Sequence, residues 1–345
     1  VKVYTRDTGE DYSSLKDRFS VIPVSTGYLF NRSRKQASSA SAHPAPKKSG
    51  IRSALIKLMR RGQFWVYPGG VSFEYGFTLS RALSQEEGQF DLLISIGLPI
   101  AVHFGSAMAV DRNPALAMVR IADYGDPFSG SSGYPPLPFR YRFEKWILDR
   151  FDHISIPIIG TRNLYKRFKP TERISIIPQG FDFSTLKLAT YQKEATPRFA
   201  YAGIFYPYQK HPGFLFEYLC SLPIDFRFTL FTDINNQESM SLIEPYRSKL
   251  GEKLEIHHLI PRLDCIHELS RFDFLVNLEW ENSIQRSSKV IDYALSGRPI
   301  ISFSQEAHIE SLFGAFLRGD YSDQLAVDLE SYDIRAVAEK FITLT

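Results

Sequence analysis

A chain of 345 residues that is 44% hydrophobic can build two domains of ordinary size, each with its own core, and is not the composition of a disordered protein. Its 41 basic and 38 acidic residues leave a formal charge of +3, too small to argue for nucleic acid, and its two cysteines, Cys220 and Cys265, have no metal-ligand spacing and suit packing roles in a reduced compartment. The most hydrophobic run, 92–110, is broken by Gly97, Pro99, His103 and Gly105 and bounded by Asp91 and Asp111, so it reads as a strand, a turn and a buried helix rather than a membrane span.

Residues 1–5 alternate as a short strand, and 18–23 resemble a second; no charged-then-apolar leader precedes them. Residues 31–50, rich in Ser, Ala, Pro and Lys, have no apolar period and read as a loop. From Ile51 the pattern changes. Ile51, Ala54, Leu55, Leu58 and Met59 share one helical face, Arg52, Lys57, Arg60 and Arg61 lie mostly on the other, and Phe64, Trp65 and Tyr67 follow. A basic amphipathic helix beside aromatics suits an anionic membrane surface, and equally suits a surface helix covering the core.

Residues 73–83 read as a helix, 90–96 as a buried strand, and the segment after Gly97 as another helix. His103 lies near its start, where a histidine either touches a substrate or packs. A strand at 117–122 ends in Asp123-Tyr124-Gly125-Asp126-Pro127. Acids at a strand's carboxyl edge lie where doubly wound sheets keep their chemistry, although Asp, Gly and Pro are also turn residues for their own reasons. Residues 129–138 form a Gly/Ser/Pro loop, and 139–151 an amphipathic helix with Phe143, Trp146, Ile147 and Phe151 inward. Strands at 152–158 and 174–177, with a short helix at 163–168 between them, complete the first half.

A polar, aperiodic stretch at 184–197 reads as a linker. The strand 198–202 then ends in Gly203, with Lys210 beyond it. Such a glycine lets backbone approach a diphosphate while the cation neutralises it, and a loop lysine is also often merely solvated. Helices at 213–222, 237–249 and 263–271 alternate with strands at 226–231 and 254–258. A buried strand at 272–278 leads to Ser287 and Ser288, both good N-cap residues, then to a helix with Val290, Ile291, Ala294 and Leu295 on its apolar face. Gly297 stops that helix, and a strand follows at 299–303. A strand, helix and strand of this kind form a right-handed parallel unit whose helix start is a ready anion site. Asp292, one turn in, is placed to accept hydrogen bonds from two neighbouring hydroxyls, as on a ribose. Residues 309–345 supply two or three more helices. The alternation throughout predicts an α/β chain of two doubly wound domains facing one cleft.

Ser288-Lys289-Val290-Ile291-Asp292-Tyr293, followed by Ser296-Gly297-Arg298-Pro299-Ile300, resembles the nucleotide-sugar loop of GT-B glycosyltransferases, especially the retaining family 4. Pro178-Gln179-Gly180-Phe181-Asp182 resembles the element that closes the first half of these proteins, and the run from Asp123 to Phe128 resembles a cleft-facing segment of a family 4-like subgroup. The resemblance implies an acceptor-binding Rossmann-like domain at 1–183, a linker at 184–197 and a nucleotide-sugar-binding Rossmann-like domain at 198–345. It places Gly203, Lys210, Ser287, Ser288 and Lys289 at the donor diphosphate, Asp292 at the ribose, and Ile260, Pro261 and Arg262 at the base. Asp126, then Asp123, with His103, fall on the acceptor side.

The implied reaction moves a hexose-type sugar from a nucleotide diphosphate sugar to a glycan or lipid-linked acceptor, as in bacterial polysaccharide biosynthesis. It retains anomeric configuration and needs no cofactor and no metal, in keeping with a sequence that has no Asp-x-Asp motif and no His/Cys cluster of ligand spacing. The protein is expected to be cytoplasmic, with 51–67 as its contact to the inner membrane face. Two departures keep other readings open. Ile284 stands eight positions before Asp292 where such enzymes carry a glutamate, and Ile204 stands where an arginine usually follows the glycine. A non-catalytic GT-B scaffold subunit and a nucleotide-sugar 2-epimerase are the alternatives. Residues 1–5 look like the second strand of such enzymes, so their glycine-rich first strand is expected to be missing.

Overall fold

The computed structural model describes residues 1–15, 17–26, 73–97, 100–130, 138–207, 212–279, 289–303 and 309–345. The chain divides into a first unit of residues 1–179 and 338–345 and a second of residues 180–337. The basic stretch 51–67, Lys210, Ile284, Ser287 and Ser288 lie outside the described residues.

In the first unit, β1 (Lys2–Arg6) and β2 (Ser20–Val24) form a parallel pair. β3 (Phe90–Gly97), β4 (Ala117–Tyr124), β5 (His153–Ile156) and β6 (Ile174–Ile176) form a parallel sheet in sequence order. Parallel neighbours require crossovers, and α1 (Phe73–Leu83), α2 (Ala101–Arg112), α3 (Pro138–Leu148) and α4 (Arg162–Tyr165) fall between the strands. Leu79, Ile100, Ala122, Ile147 and Ile154 meet in the core between helices and sheet. Glu86, after α1, accepts from both Lys2 and Tyr4, which ties β1 to the approach to β3.

The inward face of α3 carries the four expected residues and two charged ones besides. Ile147 and Phe151 are buried, Phe143 and Trp146 are partly buried and pack against the same core, and Arg140, Glu144 and Leu148 are buried as well. The spacing of Glu144 from Ile147, Leu148 and Phe151 puts the carboxylate on the same helical stripe as the apolar residues. The loop after β4 supplies it with a partner, as described below.

The second unit contains β7 (Arg198–Ala202), β8 (Arg227–Thr232), β9 (Leu254–His258), β10 (Phe274–Leu278) and β11 (Ile300–Phe303), all parallel and ordered β9-β8-β7-β10-β11. The strands FLVNL and RFTLFT are buried almost throughout, as sheets covered on both faces require. Phe199 stacks on Phe228 and Phe274, each with ring centroids 5.0 Å away, so the three central strands share one aromatic layer. The helices are α5 (Gly213–Ser221), α6 (Gln237–Leu250), α7 (Arg262–Leu269), α8 (Lys289–Leu295) and α9 (Ile309–Leu317). α10 (Ile334–Ile342) contains the second boundary between the units. Asn236 caps α6 by accepting from the Ser239 amide at 3.0 Å. Cys220 lies on α5 as expected but is exposed, because the buried face of that helix is carried by Leu215, Phe216 and Leu219.

Candidate functional site

The strand order in the second unit reverses at β7. The chain steps outward from β7 to β8 and β9, then returns to β10 on the other side of β7. Beyond the carboxyl ends of two such strands lies the crevice in which doubly wound sheets take their ligands. Here the strands part early: β10 pairs with β7 only at Phe274↔Phe199 and Leu275↔Ala200, while β7 and β8 stay paired to Ala202↔Phe231.

Three sequence-predicted residues meet around this opening. Gly203 ends β7 with φ of +142°, a conformation that residues with a Cβ rarely adopt, and its amide donates to the Phe231 carbonyl at 2.9 Å. Lys289, the first residue of α8, carries its ammonium 3.7 Å from the centre of the Tyr201 ring. That same Nζ is 3.5 Å from where a Cβ on Gly203 would stand. The third residue, Asp292, accepts from Arg262 Nε at 2.8 Å and also from its Nη2, with both contacts on Oδ1. Arg262 in turn lays its guanidinium 4.0 Å from the centre of the Phe181 ring. A bare-backbone strand end, a cation beside it and a carboxylate three residues along the same helix can hold, in order, a phosphate and a polyol.

Tyr201 and Tyr293 were not assigned roles by the sequence reading. Tyr201 is fully buried, stacks on Phe205 at 4.4 Å and serves as the platform for Lys289. Tyr293, also fully buried, bonds the backbone of Ala202. The aromatic at every other position of the sequence Phe199-Ala200-Tyr201 hinted at a packed layer, but not at a cation above it.

On the first unit, Asp123 lies at the end of β4 and accepts from Ser155 Oγ at 2.6 Å. Burial pushes its carboxyl up and the Ser155 bond partly offsets this. Asp126, two residues past β4, has an exposed side chain, yet desolvation by the surrounding protein still pushes its carboxyl up. The turn between them is fixed by Gly125, whose amide donates to the Gly97 carbonyl at 3.0 Å. His103 is fully buried, with Nδ1 2.8 Å from Ser95 Oγ and its ring 4.4 Å from that of Tyr124. Burial lowers its pKa to about 3, so the ring is neutral at physiological pH.

Below this turn sits Glu144, whose Oε2 accepts from the Ser129 amide at 3.0 Å, while Arg167 donates to the Ser129 carbonyl at 3.0 Å. Its burial raises the carboxyl to about 7, against which the Ser129 bonds and Arg167 work. The helical spacing of Glu144 with Ile147, Leu148 and Phe151 was the sequence signal for it. Among the described residues, no group of three or more His, Cys, Asp or Glu side chains is arranged to hold a metal ion, and no helix is long and apolar enough to cross a membrane. A groove of about 410 Å³ along β8 and β9 is lined by Arg198, His257 and Arg271 among others, but Arg198 pairs with Glu194 and Arg271 with Glu268.

No protein-family model and no curated protein sequence matches the chain. Solved structures do. The chain is similar to the Anabaena protein Alr3699/HepE, solved in complex with UDP-glucose, at a TM-score of 0.56 and 10% identity over 99% of this chain and 98% of that one. It is similar to a glycosyltransferase from Rickettsia africae ESF-5 at a TM-score of 0.57 and 9% identity, over 99% and 96% of the two chains. The lipopolysaccharide outer core galactosyltransferase WaaB, in its apo form, gives 0.54 and 12% over 98% and 87%. At such identities the likeness establishes the fold, which is the parallel α/β architecture of GT-B glycosyltransferases.

Proposed function

We propose that this chain is a glycosyltransferase that moves a hexose-type sugar from a nucleotide diphosphate donor to a glycan or lipid-linked acceptor, retaining anomeric configuration and using no metal. The observation that carries the reading is the Lys289 ammonium held over Tyr201 beside Gly203, at the carboxyl end of β7 where the strand order reverses. A diphosphate leaves with developing negative charge, and a cation pre-set at the leaving group stabilises the transition state more than the ground state. Lys289 supplies that charge, with Lys210 assigned beside it from the sequence resemblance. Gly203 leaves backbone room for the phosphates. Since Arg262 holds Oδ1 of Asp292, a ribose hydroxyl would use the other carboxylate oxygen. The complex of the similar HepE with UDP-glucose makes uridine nucleotides the first to test.

Asp126 is assigned to the acceptor side, with Asp123 behind it. A raised carboxyl can take a proton from an acceptor hydroxyl, although front-side retention does not require a base and Asp126 then only orients the acceptor. His103, buried and neutral, enters as the residue that fixes Ser95 on β3, not as one that touches substrate. Membrane-surface contact through 51–67 belongs to the proposal on sequence grounds alone.

The test is a calorimetric titration of UDP, GDP and ADP and their common sugars on the wild-type chain and on Lys289→Ala. Selective binding of one nucleotide, weakened about tenfold or more by losing a charged hydrogen bond, supports the donor site. Binding of none would sink it and leave the scaffold-subunit reading.

A further inference from the structure

The gap between β7 and β10 is not empty of hydrogen bonding. In a parallel strand alternate peptides face opposite neighbours, and Gly203 N–H faces β8, where it meets the Phe231 carbonyl. Ala202 therefore faces β10, but the β7–β10 ladder has already ended at Ala200. Its peptide groups are met instead by a side chain. The Ala202 amide donates to Tyr293 Oη at 2.7 Å, and the same hydroxyl donates to the Ala202 carbonyl at 3.2 Å.

Tyr293 lies one helical turn beyond Lys289, on the same face of α8. α8 thus meets β7 through two consecutive contacts: Tyr293 on the peptide of Ala202, and Lys289 on the ring of Tyr201. A phenol is the only common side chain with both a rigid apolar body to cross a packed helix–sheet layer and a tip that donates and accepts at once. Phenylalanine would fill the same volume and leave both Ala202 groups without a partner.

We infer that Tyr293 is a positioning residue for the nucleotide crevice: its hydroxyl replaces a β10 peptide as the partner of Ala202, holding β7 and β10 apart and setting Lys289 beside Gly203. This rests on the reading that a diphosphate binds at Gly203 and Lys289. The consequence is selective. Tyr293 governs how well the phosphates are held, while the nucleoside end, framed by Arg262 and Asp292, is left unchanged.

The test compares UDP, GDP and ADP, each beside its own nucleoside, by calorimetry on wild type, Lys289→Ala and Tyr293→Phe. The expected result is that Tyr293→Phe lowers diphosphate affinity about tenfold and nucleoside affinity by less than about twofold, reproducing the selectivity of Lys289→Ala. Hydrogen exchange at the Ala202 amide should speed up in the same variant. Should Tyr293→Phe not fold, Ala202→Pro removes the N–H from the strand side and should give the same selective loss. A parallel loss of diphosphate and nucleoside, or no loss of either, overturns the positioning role while leaving the donor site standing if Lys289→Ala behaves as expected. A wild type that binds none of the diphosphates overturns both.

Discussion

Lys289 and Tyr201 form a cation–π pair, 3.7 Å from ammonium to ring centre, at the end of β7. The ring is fully buried and its hydroxyl donates to the Ile204 carbonyl at 3.3 Å, so the platform cannot swing away from the residue that follows Gly203. The geometry fixes a point charge at the end of β7. Lys289→Met keeps the aliphatic stem over the ring and deletes the charge. It should lower UDP affinity about tenfold, and the residual binding should lose most of its salt dependence. Calorimetry at low and high ionic strength reads both.

The Arg262–Asp292 pair is partly exposed, with side-chain accessibilities of 42% and 25%. Pairs of this kind are screened by water and salt, so Arg262→Ala should change stability by less than about 1 kcal/mol. Asp292→Ala should likewise barely move the melting temperature while weakening nucleotide binding about tenfold, as expected for a carboxylate that meets a ribose. Equal losses of stability and binding in Asp292→Ala would count against a ligand role.

Glu144 and His103 give the first unit opposing pH dependences. The folded-state carboxyl of Glu144 is raised from 4.5 to about 7, so the folded state holds the extra proton, and stability falls as pH rises through that window. The full span is of order 3 kcal/mol. His103 is lowered from 6.5 to about 3, so the unfolded state holds the extra proton, and stability falls as pH drops below 6.5. Between about pH 4.5 and 6.5 the two slopes oppose, which predicts a plateau there. Glu144→Gln should remove the loss towards neutral pH, and His103→Gln the loss on the acid side. Thermal unfolding from pH 4 to pH 8 distinguishes the variants.

Gly97 is packed directly against the His103 ring. A Cβ placed there would stand 2.4 Å from Nε2 of a fully buried side chain that has no room to retreat. Gly97→Ala should therefore cost about 1–3 kcal/mol through overpacking, read as a lower melting temperature. In the double variant with His103→Ala most of that cost should disappear.

Much of the architecture was written in local pattern. The strands 198–202 and 254–258 and the helix 73–83 have the expected bounds, because each is an apolar run of clear period ended by a glycine, a polar turn or a change of period. Gly203 and Lys289 come together because one follows a strand and the other opens the helix after the neighbouring strand. What the pattern hid was pairing across the fold. The contact of Tyr293 with Ala202 joins residues 91 apart in sequence, and the Glu144 bond to Ser129 joins a helix to the loop before it. Periodicity found the apolar face of α3, with Phe143, Trp146, Ile147 and Phe151 against the core, but not that Glu144 is buried on it too, since nothing in the period shows that a carboxylate has a partner inside. The serines at 287 and 288, Lys210 and the basic stretch at 51–67 lie outside the described residues.

The second unit begins and ends at one place. Phe181 N–H donates to the Tyr332 carbonyl at 2.9 Å, Ile334 N–H donates to the Phe181 carbonyl at 3.0 Å, and Phe181 and Asp333 form a parallel bridge. Topologically the second unit is an insertion within the sequence of the first, to which residues 338–345 also belong. During synthesis the first unit must wait for that segment until the whole inserted unit has been made. The inserted unit has no such dependence: its ends are already tied to each other, so its sheet can close while residues 338–345 of its host are still untranslated.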